Sequence, residues 1–116
     1  MAISKAAAKQ VFTIEQKTFH LDAQKTLEIK EQFYFDVEYE GLRVWESGIV
    51  MARHYALMDA RKFEGETVVE LGSGTGIAGL AIAKYTQAAK VIFTDYKEPI
   101  LDIIRDNIEL MGKIKA

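Results

Sequence analysis

The stretch VVELGSGTGIAGLAIAKY, residues 68–85, constrains the fold of this chain more than any other segment. A short apolar run ends in a glycine-rich turn, and the turn leads directly into an alanine-rich segment with apolar residues at helical spacing. Glycine lets the backbone approach a ligand closely, and a helix start offers free N–H groups and the positive end of a dipole. The stretch therefore predicts a strand, a ligand-binding turn and a helix, as in nucleotide sites of open α/β sheets.

The segments on either side extend this unit. ETVVEL (66–71) and KVIFTD (90–95) are short and β-branched, which is typical of buried strands in parallel sheets. Residues 97–112 predict an amphipathic helix, in which Pro99 suits the first turn and Gly112 the end. Its predicted apolar face consists of Ile100, Ile104, Ile108 and Met111. This order predicts a right-handed βαβ unit with one further helix.

The chain before this unit has two other patterns. Residues 10–21, 25–33 and 33–45 alternate apolar and polar residues, which predicts an antiparallel hairpin or meander. Within each predicted strand, alternate apolar residues share one face. These sets are Phe12 and Ile14, then Leu27 and Ile29, and then Phe33, Phe35, Val37 and Tyr39. Residues 46–60 have helical spacing, and Ser47 is a candidate N-cap. One side of this predicted helix consists of Ile49, Arg53, Ala56 and Ala60, with Val50 and Leu57 nearby.

Composition narrows the class of protein. The 116 residues are 49% hydrophobic and 28% charged, with 15 basic against 17 acidic residues, so we expect a globular chain without a nucleic-acid partner. No apolar run approaches the ~20 residues that cross a membrane, and cysteine is absent. His20 and His54 lack metal-ligand spacing, so no metal site is expected. A cytoplasmic location is expected, and a nuclear one is the alternative.

Three ligands compete for the glycine turn. A triphosphate cradle needs Gly-Lys-Ser/Thr, whereas Ile77 and Ala78 follow Gly76 here. A dinucleotide fingerprint, G-x-G-x-x-G, is present from Gly74 to Gly79, and Asp95 follows Gly74 by 21 residues (95 minus 74). That register leaves two extra residues after the strand. When the register starts at the strand end, Ile77 stands where the third glycine belongs.

The third ligand is S-adenosylmethionine, and Glu70 favours it. A buried carboxylate at the end of a strand needs a partner. The amine and the sulfonium of the methionine moiety are cationic, whereas a pyrophosphate beside Glu70 would meet like charge.

ELGSGTG (70–76) resembles motif I, E-x-G-x-G-x-G, of the class I seven-strand methyltransferases. VIFTDY (91–96) resembles their second strand, which ends in the acid that holds the ribose. LRVWESGIVMARHY (42–55) and the later DNIELM are similar to segments of one branch, the family 16 type protein-lysine methyltransferases. The resemblance covers roughly residues 25 to 112. It implies a truncated, Rossmann-like α/β fold, with a hairpin or meander extension over residues 1–44 and the first half of the cofactor domain over 45–116.

The resemblance also implies roles for particular residues. The methionine end of the cofactor would lie against Glu70, Gly72, Ser73, Gly74, Thr75 and Gly76. Asp95 would accept hydrogen bonds from the ribose, Tyr96 would pack beside the adenine, and Trp45 would lie at the pocket mouth. Core packing remains the alternative for Trp45 and Tyr96, and N-capping of the next helix remains one for Asp95. No catalytic residue is identified.

The sequence stops where a third parallel strand is expected, and the family's later acid-x-x-aromatic motif is absent. We therefore expect a two-stranded sheet with an unpaired edge along residues 91–93, and incomplete cover over Ile100, Ile104 and Ile108. Such surfaces predict self-association or a partner chain. The resemblance implies a methyltransferase acting on a protein lysine. The alternatives are a non-catalytic module that binds the cofactor or a partner and, with less support, a nicotinamide-dependent oxidoreductase.

Overall fold

The structure, a computed structural model, describes residues 13–33 and 41–115. The described elements are β1 (Thr13–His20), β2 (Thr26–Phe33), α1 (Glu46–Leu57), a 3-10 helix (Ala60–Phe63), β3 (Thr67–Glu70), α2 (Ile77–Tyr85), β4 (Lys90–Phe93) and α3 (Glu98–Lys115). The chain is therefore α/β, and the predicted order of strand, helix, strand and helix from residue 67 onward is confirmed. The predictions for Phe12, Phe35, Val37 and Tyr39 lie outside the described residues.

β1 and β2 form the predicted antiparallel hairpin, with Thr13 opposite Phe33 and His20 opposite Thr26. Asp22 shapes the connection, because its Oδ1 accepts the backbone N–H groups of Gln24 and Lys25 at 2.7 and 2.6 Å. The predicted Leu27–Ile29 face is buried, whereas Ile14 on β1 is 63% exposed. The hairpin thus has one face in the core and one face toward solvent.

β3 and β4 are parallel, with Thr67 opposite Lys90 and Glu70 opposite Phe93. Only one face of this pair packs on the helices. The other face carries Val69, Leu71 and Ile92, which are 55%, 83% and 37% exposed. The prediction of two fully buried strands is therefore wrong in the described chain, because no described element covers that face.

The main core lies between the hairpin and the first two helices. It joins Leu27 and Ile29 of β2 to Ala52 and Ala56 of α1 and to Leu80 of α2. A second cluster joins Leu42 to the α3 residues Ile100, Ile103 and Ile104. Residues of both predicted parts, 1–44 and 45–116, enter the main core, and the boundary between them stays a prediction.

The sequence predicted the first residue of α1 correctly and misplaced its N-cap and its end. The N-cap position belongs to Trp45, whose side chain makes no capping hydrogen bond, and not to Ser47. The helix ends at Leu57 rather than at 60, where a 3-10 turn begins. Ala52 and Ala56 are its buried residues, whereas Val50 and Leu57 are 64% and 62% exposed. These small alanines lie in the main core, where α1 packs closely against α2.

α3 also differs from its prediction. Pro99 lies in the first turn as predicted, but the helix passes through Gly112 and ends at Lys115, so Gly112 is not its stop. The buried face consists of Ile100, Ile103, Ile104 and Asn107, whereas Ile108 is 40% exposed. The expectation that Ile100 and Ile104 lack cover is wrong, because Leu42 and the ring of Phe93 pack on their cluster.

None of the helices in the described ranges has the length and apolar character that a membrane span requires.

Candidate cofactor site

The turn between β3 and α2 depends on glycine. Gly72, Gly74 and Gly76 have φ angles of 63°, 58° and 89°, a region that residues with a Cβ rarely adopt. A Cβ on Gly74 would also lie 3.1 Å from the carbonyl oxygen of Gly41. The local sequence therefore folds as a tight left-handed turn that places the start of α2 at the end of β3.

Hydrogen bonds tie this turn to the end of the neighbouring strand. The N–H of Ser73 donates to the carbonyl of Thr94 at 2.8 Å, and the N–H of Thr94 donates back to the Ser73 hydroxyl at 3.1 Å. The Thr94 hydroxyl donates to the carbonyl of Glu70 at 2.6 Å. The ends of β3 and β4 are thereby locked together at the edge where ligands bind in parallel sheets.

Asp95 holds the same turn from the side of β4. Its Oδ2 accepts the N–H of Gly74 at 2.9 Å, and its Oδ1 accepts the N–H of Tyr96 at 2.8 Å. Because α3 begins at Glu98, Asp95 is not the N-cap of that helix. A carboxylate offers about four acceptor positions, so about two remain for a ligand.

Glu70 ends β3 with its carboxyl group half-buried beneath the turn. Burial raises the pKa of this carboxyl, and weaker contacts with the Ser73 side chain and the Gly79 backbone act in the opposite direction. Its Oε1 is buried and has no hydrogen-bond partner among the described residues. Because Glu70 also lines the cavity, its carboxylate favours a cationic ligand over an anionic one.

Gly79 serves packing rather than ligand approach. A Cβ at this position would lie 2.4 Å from Cε1 of Phe93. The missing side chain lets the first turn of α2 rest against the ring that ends β4. The glycine that completes the literal dinucleotide fingerprint is thus accounted for by the helix–strand contact.

Asn107 is fully buried and connects the turn to the hairpin. Its Oδ1 accepts the N–H of Lys30 at 2.7 Å, and its Nδ2 donates to the carbonyls of Lys30 and Thr75 at 3.1 and 2.9 Å. The sequence analysis missed this residue. The signal was a polar side chain seven residues after Ile100, on the apolar face of a helix.

Glu31, the next residue of β2, holds the opposite wall of the site. Its Oε1 accepts the N–H of Val44 at 2.7 Å, and its Oε2 lies 3.0 Å from the ammonium of Lys17. The buried carboxylate therefore has a partner at each oxygen. The residue beside Val44 is Trp45, so this bond anchors the segment that carries the tryptophan.

These walls enclose a cavity of about 560 Å³, which falls within the usual range for small-molecule sites. Among the predicted site residues, the lining includes Trp45, Glu70, Gly72, Ser73, Gly74, Thr75, Asp95 and Tyr96. Gly76 lies at the start of α2, outside the described lining. Trp45 and Tyr96 are 53% and 78% exposed, so neither is a core residue.

The lining also contains residues that the sequence analysis did not select. Ser47, Gly48 and Met51 come from the start of α1, and Gly41 and Arg43 precede Trp45. The available signal was position: Arg43 is two residues before Trp45, and Gly48 and Met51 follow it at three-residue steps. Within the described residues, no cluster of His, Asp or Glu is arranged to hold a metal ion.

Comparison with known proteins identifies the family. Residues 21–116 match the model of a family described as lysine methyltransferase. This chain belongs to that lysine methyltransferase family. The matched residues include β2, which is hydrogen-bonded to Asn107, and also the glycine turn. The family assignment therefore covers all walls of the cavity.

Of three individual relatives, two are named lysine methyltransferases and one is named an arginine methyltransferase. The chain is 40% identical over 65 residues to a calmodulin-lysine N-methyltransferase of Arabidopsis thaliana, covering 56% of this chain and 21% of the relative. It is 38% identical over 72 residues to the human protein-lysine N-methyltransferase EEF2KMT, covering 62% and 22%. It is 30% identical over 106 residues to the mouse histone-arginine methyltransferase METTL23, covering 90% and 40%. The chain thus spans between a fifth and two fifths of the length of these relatives.

Proposed function

We propose that this chain is the cofactor-binding half of an S-adenosylmethionine-dependent methyltransferase with a Rossmann-like fold, and that the methyl acceptor is a protein lysine. The observation that carries the proposal is the position of Glu70. It places a half-buried carboxyl in the lining of the cavity, directly beneath the glycine turn. A cationic group in the cavity meets opposite charge at Glu70, whereas a pyrophosphate meets like charge.

The glycine turn suits the methionine end of such a cofactor. A Cβ on Gly72 would meet nothing within 4 Å, so the backbone at this point borders open space. Glu70 would face the cationic amine across that space, and the turn backbone from Gly72 to Gly76 would lie along the methionine chain. The three left-handed glycines leave room for the backbone to approach the ligand closely.

The other wall suits the nucleoside. Asp95 has acceptor positions left after binding two backbone N–H groups, and vicinal ribose hydroxyls are donors that match them. Tyr96 directly follows Asp95 and presents an exposed ring for the adenine. Trp45 presents a second exposed ring across the cavity.

When bound, S-adenosylmethionine would supply a methyl group on a sulfonium whose leaving group is neutral. Such a transfer needs little acid–base assistance, so the task of the chain is to orient the sulfonium and exclude water. Glu70, Asp95 and Asn107 would provide that orientation by holding the ligand and the turn. We assign no residue to the acceptor.

Lysine is the proposed acceptor because the family description and two of the relatives above name lysine. Arginine is a second candidate, because the relative that aligns with 90% of this chain is a histone-arginine methyltransferase. A module that binds the cofactor without turnover remains the alternative for a chain that spans so little of its relatives.

Calorimetry and thermal unfolding test the cofactor assignment. We expect S-adenosylmethionine and S-adenosylhomocysteine to raise the melting temperature, because a ligand at 100 times its Kd stabilises the folded state by about 2.7 kcal/mol. NAD should have no effect. Stabilisation by NAD alone would contradict the proposal.

A labelling assay tests the acceptor. Radioactive methyl transfer from S-adenosylmethionine to proteins of a cell extract, followed by amino-acid analysis, should yield methyl-lysine. Methyl-arginine would favour the second candidate. Cofactor binding without any transfer would favour the non-catalytic module.

A further inference from the structure

The charged side chains around the cavity are unequal in number. Glu70 and Asp95 contribute two carboxylates, whereas Arg43 is the single cation among the described lining residues. If a zwitterionic ligand with one carboxylate binds in this described lining, its carboxylate meets opposite charge only at Arg43. Elsewhere, beside Glu70 or Asp95, it would meet like charge.

Arg43 is held in place by the hairpin. The central carbon of its guanidinium lies 4.7 Å from the centroid of the Phe33 ring at the end of β2, within cation–π range. The backbone of the next residue, Val44, is fixed by the 2.7 Å hydrogen bond to Glu31. Both anchors restrain the arginine before any ligand arrives, which lowers the entropic cost of using it.

We propose that Arg43 binds the carboxylate of the methionine moiety of S-adenosylmethionine. The inference rests on the proposed function and adds to it the recognition of the amino-acid end. A guanidinium presents paired donors that match a carboxylate, and it stays charged at any physiological pH. Glu70 then faces the amine and Arg43 faces the carboxylate, so each charged group of the amino-acid moiety meets a side chain of opposite charge.

A ligand without the carboxylate isolates this contact. Calorimetry would compare S-adenosylmethionine with decarboxylated S-adenosylmethionine on the unmodified chain and on Arg43→Met, which keeps an unbranched stem. We expect Arg43→Met to weaken S-adenosylmethionine by about 10- to 100-fold, because hydrogen bonds to charged groups have this magnitude. The decarboxylated ligand should bind both proteins within about twofold. Arg43→Lys should recover part of the loss.

Arg61→Met is the matched control, because Arg61 is an exposed arginine on the 3-10 helix and is not among the lining residues. It should leave both affinities unchanged. Equal weakening of both ligands by Arg43→Met would overturn the inference, and so would an unchanged affinity for S-adenosylmethionine. If the unmodified chain binds neither ligand, the proposed function itself fails, and the assignment of Arg43 falls with it. Urea unfolding of each variant separates loss of the contact from loss of the fold.

Discussion

The side-chain amide of Asn107 donates a hydrogen bond to the carbonyl of Thr75 at 2.9 Å, in the middle of the glycine turn. The same side chain pairs with both backbone groups of Lys30 on β2. One buried residue of α3 therefore holds the turn and the hairpin at fixed positions. Three hydrogen bonds thus connect this wall of the cavity to α3.

Replacing Asn107 should damage stability and ligand binding together. Asn107→Leu keeps similar volume but removes the partner of one part-buried N–H, one part-buried carbonyl and one buried carbonyl. Each such group costs about 1–3 kcal/mol, so we expect the free energy of unfolding to fall by at least about 2 kcal/mol. Urea unfolding measures this loss. Asp106→Leu, at the exposed neighbouring position of α3, is the control, and an equal loss there would contradict the prediction.

Gly74→Ala should abolish cofactor binding. The new Cβ would meet the carbonyl of Gly41 at 3.1 Å in a backbone conformation with φ of 58°. The turn or Gly41 must then move by a few tenths of an ångström, and the alanine is strained in this left-handed conformation. Gly112→Ala is the matched control, because Gly112 lies inside α3 with open space around it, and alanine there should stabilise the helix by roughly 0.5–1 kcal/mol. Calorimetry that finds similar affinity for both variants would refute this prediction.

Glu70→Gln should have opposite effects on stability and on binding. Because burial raises the pKa of Glu70 in the folded chain, the folded state binds this proton more tightly than the unfolded state does. Proton binding by Glu70 therefore stabilises the folded state. This stabilisation is fully present below the ordinary glutamate pKa of 4.5, and it is lost as the pH rises through the higher pKa that Glu70 has in the folded chain. The ligand-free variant should therefore melt at a higher temperature than the unmodified chain at pH 7.

The stability difference between Glu70→Gln and the unmodified chain should shrink as the pH falls below 4.5. The variant should also bind S-adenosylmethionine about tenfold or more weakly, because the charged partner of the amine is gone. Melting curves between pH 4 and pH 8, with and without ligand, provide the check. A variant that is less stable at pH 7 would show that the carboxylate is well solvated.

The exposed face of β3 and β4 should cause self-association. Val69 and Ile92 lie side by side on this face and are 55% and 37% exposed. We expect the double variant Val69→Thr, Ile92→Thr to fold normally and to sediment as a smaller species at high concentration. Ile103→Thr, at a fully buried position of α3, is the control. It should lower the free energy of unfolding and leave the sedimentation of the folded chain unchanged. Concentration-independent sedimentation of the unmodified chain would rule out association through this face.

Local signals explain why the glycine turn and its flanking elements were predictable. The strand, the turn and α2 are encoded within residues 67–85, where left-handed glycines and periodicity leave few alternatives. The parallel pairing of β3 with β4 followed from two short β-branched runs separated by a helix. The predicted acids at the two strand ends accordingly line one cavity.

Long-range contacts explain the misses. The face of α3 was read from spacing alone, which selected Ile108, whereas docking of β2 and Leu42 selects Ile103 and Asn107. Gly112 ends no helix, because nothing in its neighbourhood requires a left-handed residue and α3 simply continues. Arg43 lies over the ring of Phe33 at the end of β2, a contact that periodicity does not report.

The contacts of Asn107 also set an order of events during synthesis. Lys30 and Thr75 precede Asn107 by 77 and 32 residues, so the glycine turn leaves the ribosome well before its clamp does. Contacts between residues this far apart form late, because the chain between them must first be ordered. A nascent chain interrupted between Gly76 and the start of α3 at Glu98 would carry the whole E-x-G-x-G-x-G signature and still lack the Asn107 contact with its glycine turn.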